Sequence, residues 1–263
     1  AQAQVKQSYI NPVETFNTNV LGTINILEAA RKSNSIKAIL VITSDKCYKN
    51  NETKHAYKED DKLGGNDPYS SSKACAEHIS RSFYKSFFME NNIGLATARS
   101  GNVIGGGDWS SDRLIPDIVR SWIKSKPVMI RSPGSVRPWQ HVMEPIYGYL
   151  KLTEEIWENP FDFSGGWNFG PEEEDAKSVE WISKTMIDKW GSSVGVKFAN
   201  EDNLHEANYL KLNCSKAKSK LNWQPKLNVS EALDYIVDWY NKYQSNQNPR
   251  DILLNQINNY ISK

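Results

Sequence analysis

The sequence predicts an α/β fold in which helices cover both faces of a doubly wound parallel sheet. Residues 36–43 are β-branched and almost continuously apolar, which is typical of a strand covered on both faces. Residues 93–99 form a second short predicted strand, and segments with helical apolar spacing lie at 12–33 and 69–91. This alternation of helix and strand favours right-handed βαβ crossovers between parallel strands.

The first half of the chain supplies these elements in order. Pro12 suits the first turn of the helix 12–33, and the strand 36–43 is expected to be central and parallel. A polar loop at 49–66 then leads to the helix 69–91. The apolar stripe of the first helix consists of Val13, Phe16, Val20, Ile24, Leu27 and Ala30.

Beyond Gly105-Gly106-Gly107 the pattern changes to a smaller α+β portion. Short apolar runs alternate there with helical stretches. The predicted strands are 128–130, 167–169 and 194–198, and the predicted helices are 114–125, 141–157, 178–190, 215–221 and 230–243.

Charge balance and hydropathy argue against nucleic-acid and membrane partners. The 263 residues carry 32 basic and 31 acidic side chains, which gives no electrostatic footprint for nucleic acid. Mean hydropathy is −0.62, and the longest strongly apolar run has only the length of a strand. Cys47, Cys75 and Cys214 are odd in number and widely spaced, so we expect no disulfide framework and a reducing compartment, the cytoplasm.

Tyr69 and Lys73 are candidate catalytic residues of the second helix. Residues four apart lie on one helix face, and a neighbouring cation favours a phenolate that can act as a base. The spacing alone is a weak signal, because Tyr147 and Lys151 repeat it. Tyr69 differs in following a buried strand, and ligands collect at the carboxyl ends of parallel strands.

Ser44, Asp45 and Lys46 follow the first predicted strand directly. A hydroxyl, a carboxyl and an amine in succession suit proton transfer to and from a ligand. A solvated turn, in which the serine and aspartate cap the backbone, is the more common origin of such a triplet in isolation. Together with Tyr69 and Lys73, the triplet favours a catalytic site at this strand end.

The segment after the second strand is a candidate ligand loop. Asn102 precedes three glycines, which permit positive φ angles or the close approach of a ligand. Arg113 and Arg137 are candidates for a diphosphate, because guanidinium groups pair with phosphate oxygens bidentately; an ordinary ion pair is the alternative for each. No G-x-G-x-x-G or Walker A sequence occurs, and the four histidines lack metal-ligand spacing, so no metal site is predicted.

Five segments together resemble the extended short-chain dehydrogenase/reductase family, and within it the sugar-nucleotide 4,6-dehydratases. They are residues 41–48 (VITSDKCY), 67–77 (DPYSSSKACAE), 99–109 (RSGNVIGGGDW), 135–142 (SVRPWQHV) and 167–171 (WNFGP). Tyr-x-x-x-Lys is generic to the superfamily, whereas S-D-K and R-P-W-Q-H discriminate more strongly. Related epimerases usually carry small or non-ionisable residues at the positions of Asp45 and Lys46, and dehydration requires an ionisable pair.

The resemblance implies a Rossmann-like, NAD-binding portion at 1–105 and a mainly sugar-nucleotide-binding portion at 106–263, with segments that return to the first. Tyr69, Lys73 and Ala1 would contact NAD. Ala1 matches the second alanine of a family segment written H-L-A-A-Q, and members carry a strand, a glycine-rich turn and a helix before it. We therefore expect this piece alone neither to hold NAD nor to turn over.

The resemblance also implies a role for each site residue. Tyr69, assisted by Lys73 and Ser44, would take the proton of the sugar 4-hydroxyl during C4 oxidation. Lys46 would remove the C5 proton, and Asp45 would donate to the departing 6-hydroxyl. The expected sugar nucleotide is CDP-glucose. Its expected contacts are Asn102, Arg113 and Arg137, with Arg137 at the diphosphate.

Two rival functions remain open from the sequence. The first is an epimerase, or a dehydratase that uses another nucleotide; Asp45 and Lys46 argue against an epimerase. The second is a binding or assembly module without activity. The joint presence of all five catalytic candidates argues against it. Since the family commonly dimerises through two helices per subunit, the resemblance implies a homodimer formed by 12–33 and 69–91.

Overall fold

The chain forms two compact units in a computed structural model that describes residues 1–191, 195–198 and 210–263. Residues 102–105, which the sequence assigns to the first portion, lie in unit 2. Among the described residues, no helix is long and apolar enough to cross a membrane. Unit 1 comprises Ala1–Gly101, Ile146–Gly170 and Lys211–Gln224, and unit 2 comprises Asn102–Pro145, Pro171–Leu210 and Pro225–Lys263.

The elements are numbered here in chain order. The helices are α1 (Val5–Ile10), α2 (Pro12–Phe16), α3 (Gly22–Arg31), α4 (Pro68–Phe83), α5 (Leu114–Ile123), α6 (Met143–Glu158), α7 (Pro160–Phe163), α8 (Val179–Trp190), α9 (Ser215–Leu221), α10 (Val229–Gln244) and α11 (Pro249–Ile261). The strands are β1 (Ala38–Ile42), β2 (Ala56–Tyr57), β3 (Gly94–Ser100), β4 (Val103–Ile104), β5 (Val128–Ile130), β6 (Val136–Pro138), β7 (Gln140–His141), β8 (Gly165–Phe169), β9 (Ala176–Ser178), β10 (Val196–Phe198) and β11 (Lys211–Leu212).

The two long helices predicted in the first half are confirmed. A π-helical segment, Asn17–Leu21, joins α2 to α3, and another, Tyr84–Phe88, extends α4. The start of α4 is fixed by Pro68 in its first turn and by Asp67, whose carboxylate accepts the Ser70 backbone N–H at 2.9 Å. This cap determines where the helix that carries Tyr69 begins.

Unit 1 contains a three-stranded parallel sheet in the order β1-β3-β8. Ala38 pairs with Gly94, and Ala96 pairs with Gly165. The expectation that β1 is central is wrong for the described residues, because β3 is the middle strand. A continuous apolar run indicates coverage of both faces of a strand, not the number of its neighbours.

Both faces of this sheet are covered, which confirms the predicted α/β class. Leu27 of α3 and Phe88 pack with Leu95 on one face. Leu152 and Ile156 of α6 pack on the other face. The apolar residues that join these two on the second face are Ala96, Ala98, Trp167, Phe169, Cys214, Ala217, Leu221 and Trp223.

Residues 167–169 lie in unit 1, as one of the segments that return from beyond residue 105. These residues belong to β8, which pairs with β3 in the sheet of unit 1. A short apolar run carries no information about its strand partner, since partners are set by contacts distant in sequence.

In its described residues, unit 2 has short strand pairs and the helices α5, α8, α10 and α11 around its own core. β4 pairs with β7 and β5 with β10 in parallel, whereas β6 and β9 are antiparallel. Residues of α5, α8, α10 and α11 supply most of the buried apolar cluster. The strand predicted at 194–198 corresponds to β10, and residue 194 lies outside the described residues.

Candidate active site

α4 presents Tyr69 and Lys73 on one face, as the spacing predicts. Both residues are buried, with 8% and 7% of their surfaces exposed. The Lys73 ammonium Nζ donates to the Ile42 carbonyl at 3.2 Å, which places it at the carboxyl end of β1. Burial lowers the pKa of Lys73 below its usual value, although the negative charge of Glu77 opposes that shift.

The Ser44-Asp45-Lys46 triplet forms a tight turn where β1 ends. Ser44 caps a 3₁₀ turn over Asp45–Cys47: its Oγ accepts the Lys46 N–H at 3.2 Å and donates to Asp45 Oδ1 at 3.0 Å. Asp45 is only 3% exposed, and Lys46 is half-buried. The capping geometry expected of an ordinary turn is therefore present, but the turn is buried and lies beside α4 rather than in solvent.

The second Tyr-x-x-x-Lys pair has a different environment. The Lys151 ammonium lies 5.4 Å from the ring centre of Tyr147 on α6 and donates to the Asn222 carbonyl. The contact between the Lys151 cation and the Tyr147 ring explains this pair as part of the helix surface.

The start of the chain lies against α4. The Asn19 amide exchanges hydrogen bonds with the backbone of Gln2 at 2.8 and 2.9 Å and donates to Ser72 Oγ at 2.9 Å. Ser72 in turn donates to the Tyr69 carbonyl at 2.7 Å. Ala1 itself is exposed, so its predicted contact with NAD stays a prediction.

A buried ion pair beneath the site was missed in the sequence. Glu77 of α4 and Arg99 of β3 form two side-chain hydrogen bonds, at 2.9 Å and 2.7 Å. Thr43 and Thr97 donate their hydroxyls to the same carboxylate. Burial alone would lower the pKa of Arg99, but the hydrogen bonds and charge of Glu77 outweigh it and raise that pKa.

Tyr48 extends this network to the third strand. Its hydroxyl accepts from Arg99 at 2.7 Å and donates to Asn168 of β8 at 2.7 Å. The Asn168 amide nitrogen donates to the carbonyls of Tyr57 and Asn213. The carboxyl ends of β1, β3 and β8 are thus joined by one chain of buried polar groups.

A second polar pair closes the same end of the sheet. Ser100 Oγ and the Tyr149 hydroxyl lie 2.6 Å apart. Burial raises the pKa of Tyr149 to about 12, and the negative charge of Asp45 adds to that shift. Tyr149 therefore stays a neutral phenol close enough to Asp45 to sense its charge.

The three residues predicted to contact a sugar nucleotide lie in unit 2. The Asn102 carbonyl accepts the Gln140 N–H at 3.2 Å. Arg113 is the residue directly before α5, and its guanidinium group pairs with Asp108 at 3.1 Å. Arg137 lies on β6, is 6% exposed, and donates to the Val136 carbonyl at 3.1 Å. Their ligand roles stay predictions.

The glycine triplet has a packing role. A Cβ on Gly106 would lie 2.3 Å from Cγ of Trp239, and one on Gly105 would lie 2.8 Å from Val142 Cγ1. Gly107 has φ +78°, a backbone conformation that side chains other than glycine rarely adopt. The close approach that these glycines permit is that of the unit 2 core, so a ligand is not needed to explain them.

Solved structures share this fold. The dTDP-glucose 4,6-dehydratase of Streptomyces venezuelae, solved with NAD bound, gives a TM-score of 0.79 at 19% identity, covering 95% of this chain and 73% of that one. The UDP-glucose 4-epimerase of Thermotoga maritima, solved with UDP-glucose, gives 0.79 at 20% identity, covering 93% and 76%. These likenesses define the class as a Rossmann-like α/β protein.

Sequence comparison gives the family. The profile described as GDP-mannose 4,6 dehydratase matches residues 1–236. The CDP-glucose 4,6-dehydratase of Salmonella typhimurium is 46% identical over 267 aligned residues, which cover 100% of this chain and 74% of that protein. The chain belongs to the GDP-mannose 4,6 dehydratase family, and the resemblance to sugar-nucleotide dehydratases is confirmed.

Proposed function

We propose that this protein catalyses the NAD-dependent 4,6-dehydration of CDP-glucose to CDP-4-keto-6-deoxyglucose and water. The 46% identity with the Salmonella CDP-glucose 4,6-dehydratase over the whole chain carries the proposal. The grouping of Ser44 and Asp45 with Lys73 at the end of β1 supports it. The protein is accordingly a hydro-lyase.

Tyr69 and Lys73 fit the reactive end of NAD. A buried ammonium group and a phenol on one helix face, at the carboxyl end of a parallel strand, suit a polar ligand that binds at this edge of a sheet. NAD, when bound, would supply the acceptor for the C4 hydride and the donor of that hydride to C6, while the proton that Lys46 holds would return to C5. Ala1 is proposed as a further contact, since the Gln2–Asn19–Ser72 hydrogen bonds lead from the chain start to α4.

Tyr69 takes the proton of the sugar 4-hydroxyl as C4 is oxidised. The ammonium group of Lys73 stabilises the phenolate, because the two side chains are one helical turn apart. Ser44 supplies a hydroxyl that hydrogen-bonds to the same sugar oxygen. These three residues account for the first proton transfer.

Lys46 and Asp45 carry the loss of water. The ketone at C4 acidifies the C5 proton, which Lys46 removes in its amine form. Asp45, when protonated, donates to the departing 6-hydroxyl, so that a C5–C6 double bond forms and water leaves. Asp45 is held at this strand end, since it is 3% exposed and its Oδ1 accepts the Ser44 hydroxyl at 3.0 Å.

Unit 2 is proposed to bind the nucleotide part of the substrate. Asn102, Arg113 and Arg137 are its proposed contacts, with Arg137 at the diphosphate. A buried guanidinium group gains most from a dianionic partner, and Arg137 is 6% exposed.

We also propose a cytoplasmic homodimer. Val13, Phe16 and Leu21 expose 71%, 36% and 50% of their surfaces on the first helical run, an apolar face that a second copy would cover. The three cysteines are all free, as in proteins of reducing compartments. Sedimentation of the protein against a Val13→Glu variant tests the dimer, which the variant should dissociate.

The substrate test supplies the full-length protein with NAD and CDP-, dTDP- or GDP-glucose and measures the 4-keto product. We expect kcat/KM for CDP-glucose to exceed the other two by about tenfold or more, equivalent to about 1.4 kcal/mol. Release of the C4 epimer without loss of water would replace the proposal with an epimerase. Failure to convert any of the three sugar nucleotides would overturn it.

A further inference from the structure

We infer that Glu77 is a positioning residue for the dehydration, an inference that rests on the function proposed above. Glu77 lies on the same face of α4 as Tyr69 and Lys73, eight and four residues further along. At 1.5 Å per residue, its Cα is about 12 Å along the helix from that of Tyr69. Glu77 therefore acts through other residues and not on the reacting atoms.

The Glu77 carboxylate is the point at which α4 is fixed to the sheet. It is buried, with 4% of the residue exposed. Its Oε1 accepts from Thr43 and Arg99, and its Oε2 accepts from Thr97 and Arg99. Every one of these bonds crosses from the helix to β3 or to the end of β1. A carboxylate desolvated this fully is held in place by its partners, since leaving any of them unpaired is unfavourable.

These bonds connect the two parts of the proposed catalytic group, which are the α4 residues Tyr69 and Lys73 and the turn that follows β1. Thr43 immediately precedes Ser44, and the Lys73 ammonium donates to Ile42, the residue before Thr43. α4 is thus joined to two consecutive residues of the strand that leads into the Ser44-Asp45-Lys46 turn. The Glu77 bonds therefore fix the position of Tyr69 and Lys73 relative to that turn. Catalysis is sensitive to a misplacement on the order of 1 Å.

Two threonines offer a matched comparison. Thr43 and Thr97 each donate a hydroxyl hydrogen bond to Glu77, and they are 7% and 3% exposed. The Thr43 hydroxyl also lies 3.3 Å from the Ala98 carbonyl, which can accept it in place of Glu77. Valine has the same shape and keeps the β-branched side chain that strands favour. Only Thr43 adjoins the catalytic turn, so the two substitutions remove similar bonds with different consequences for its position.

The experiment measures kcat, KM, thermal stability and amide hydrogen exchange for Glu77→Gln, Thr43→Val and Thr97→Val in the full-length protein. We expect Glu77→Gln to lower kcat about a hundredfold with KM within threefold of the original protein. Thr43→Val should lower kcat about tenfold and Thr97→Val less than threefold, while their melting temperatures fall equally. Exchange of amides 44–47 should accelerate in Thr43→Val and not in Thr97→Val.

A purely structural role predicts other results. Equal kcat losses in the two threonine variants, or equal exchange at amides 44–47, would overturn the inference. If Glu77→Gln does not fold, the threonine pair decides the question alone. If the unmutated protein converts no sugar nucleotide, the proposed function fails, and the exchange comparison still decides whether Glu77 positions the turn.

Discussion

Tyr48→Phe isolates one hydroxyl of the polar network that joins the strand ends. The ring of Tyr48 stacks on Tyr57, with centroids 5.1 Å apart, and the Arg99 guanidinium lies 5.0 Å from its centre. Phenylalanine keeps both ring contacts. The substitution removes the bond from Arg99 at 2.7 Å and the bond to Asn168 at 2.7 Å.

The loss of stability follows from the buried polar groups that lose the phenol as a hydrogen-bond partner. One Arg99 N–H and the Asn168 Oδ1 would remain buried without the phenol as partner, at about 1–3 kcal/mol each. We expect a loss of roughly 2–6 kcal/mol in the free energy of unfolding. At about 2–4 °C per kcal/mol for a chain of this size, the melting temperature should fall by roughly 4–24 °C.

Urea unfolding and thermal melts measure the effect, with Tyr57→Phe as the matched control. The Tyr57 hydroxyl donates at 3.2 Å to loop acceptors and accepts from Asn51 in a partly buried setting. Water can replace these partners, so the control should cost about 1 kcal/mol or less. A Tyr48→Phe loss below about 0.5 kcal/mol, or below that of the control, would refute the reasoning.

Three further predictions concern unit 2. Gly106→Ala would place Cβ 2.3 Å from Trp239 Cγ and should cost about 1–3 kcal/mol in urea unfolding, whereas Gly134→Ala, with nothing within 4 Å, should be neutral. Asn228→Ala removes the capping box of α10 and should cost about 1 kcal/mol by the same assay. Burial lowers the pKa of His141 to about 4, below its unfolded value of about 6.5. Its neutral form therefore stabilises the fold above about pH 6.5, and about 3 kcal/mol should be lost as pH falls to about 4. His141→Gln should flatten that part of the stability profile; an unchanged profile would contradict the assignment.

Local patterns were sufficient to predict the elements that carry the proposed catalytic residues. The β-branched run before Ser44 predicted β1, and four-residue spacing placed Tyr69 and Lys73 on one helix face, as the structure has them. Both signals depend only on residues close in sequence. These two signals can therefore be recognised from the sequence without a structure.

The partner of each strand could not be predicted from the sequence in the same way. The run at 167–169 shows an apolar segment, but only the structure shows that it pairs with β3 and that β3, not β1, is the middle strand. Pairing depends on contacts between segments about 70 residues apart, for which the local pattern holds no information.

The Glu77–Arg99 pair had a signal that was available. Arg99 is a charged residue inside a predicted buried strand, and such a charge requires a partner. Glu77 lies on the same predicted helix face as Tyr69 and Lys73, one turn further on. The sequence could have suggested this pair, but not that Tyr48 and Asn168 extend it.

The division of labour between Tyr69 and Lys46 is the central claim, and single-turnover absorbance of the reduced cofactor tests it most directly. With the full-length, NAD-loaded protein and CDP-glucose, Lys46→Ala should form and accumulate NADH, because C4 oxidation proceeds and elimination does not. Tyr69→Phe should form none, and Lys49→Ala, at an exposed lysine three residues on, should turn over normally. Equal loss of NADH formation in Lys46→Ala and Tyr69→Phe would contradict the account.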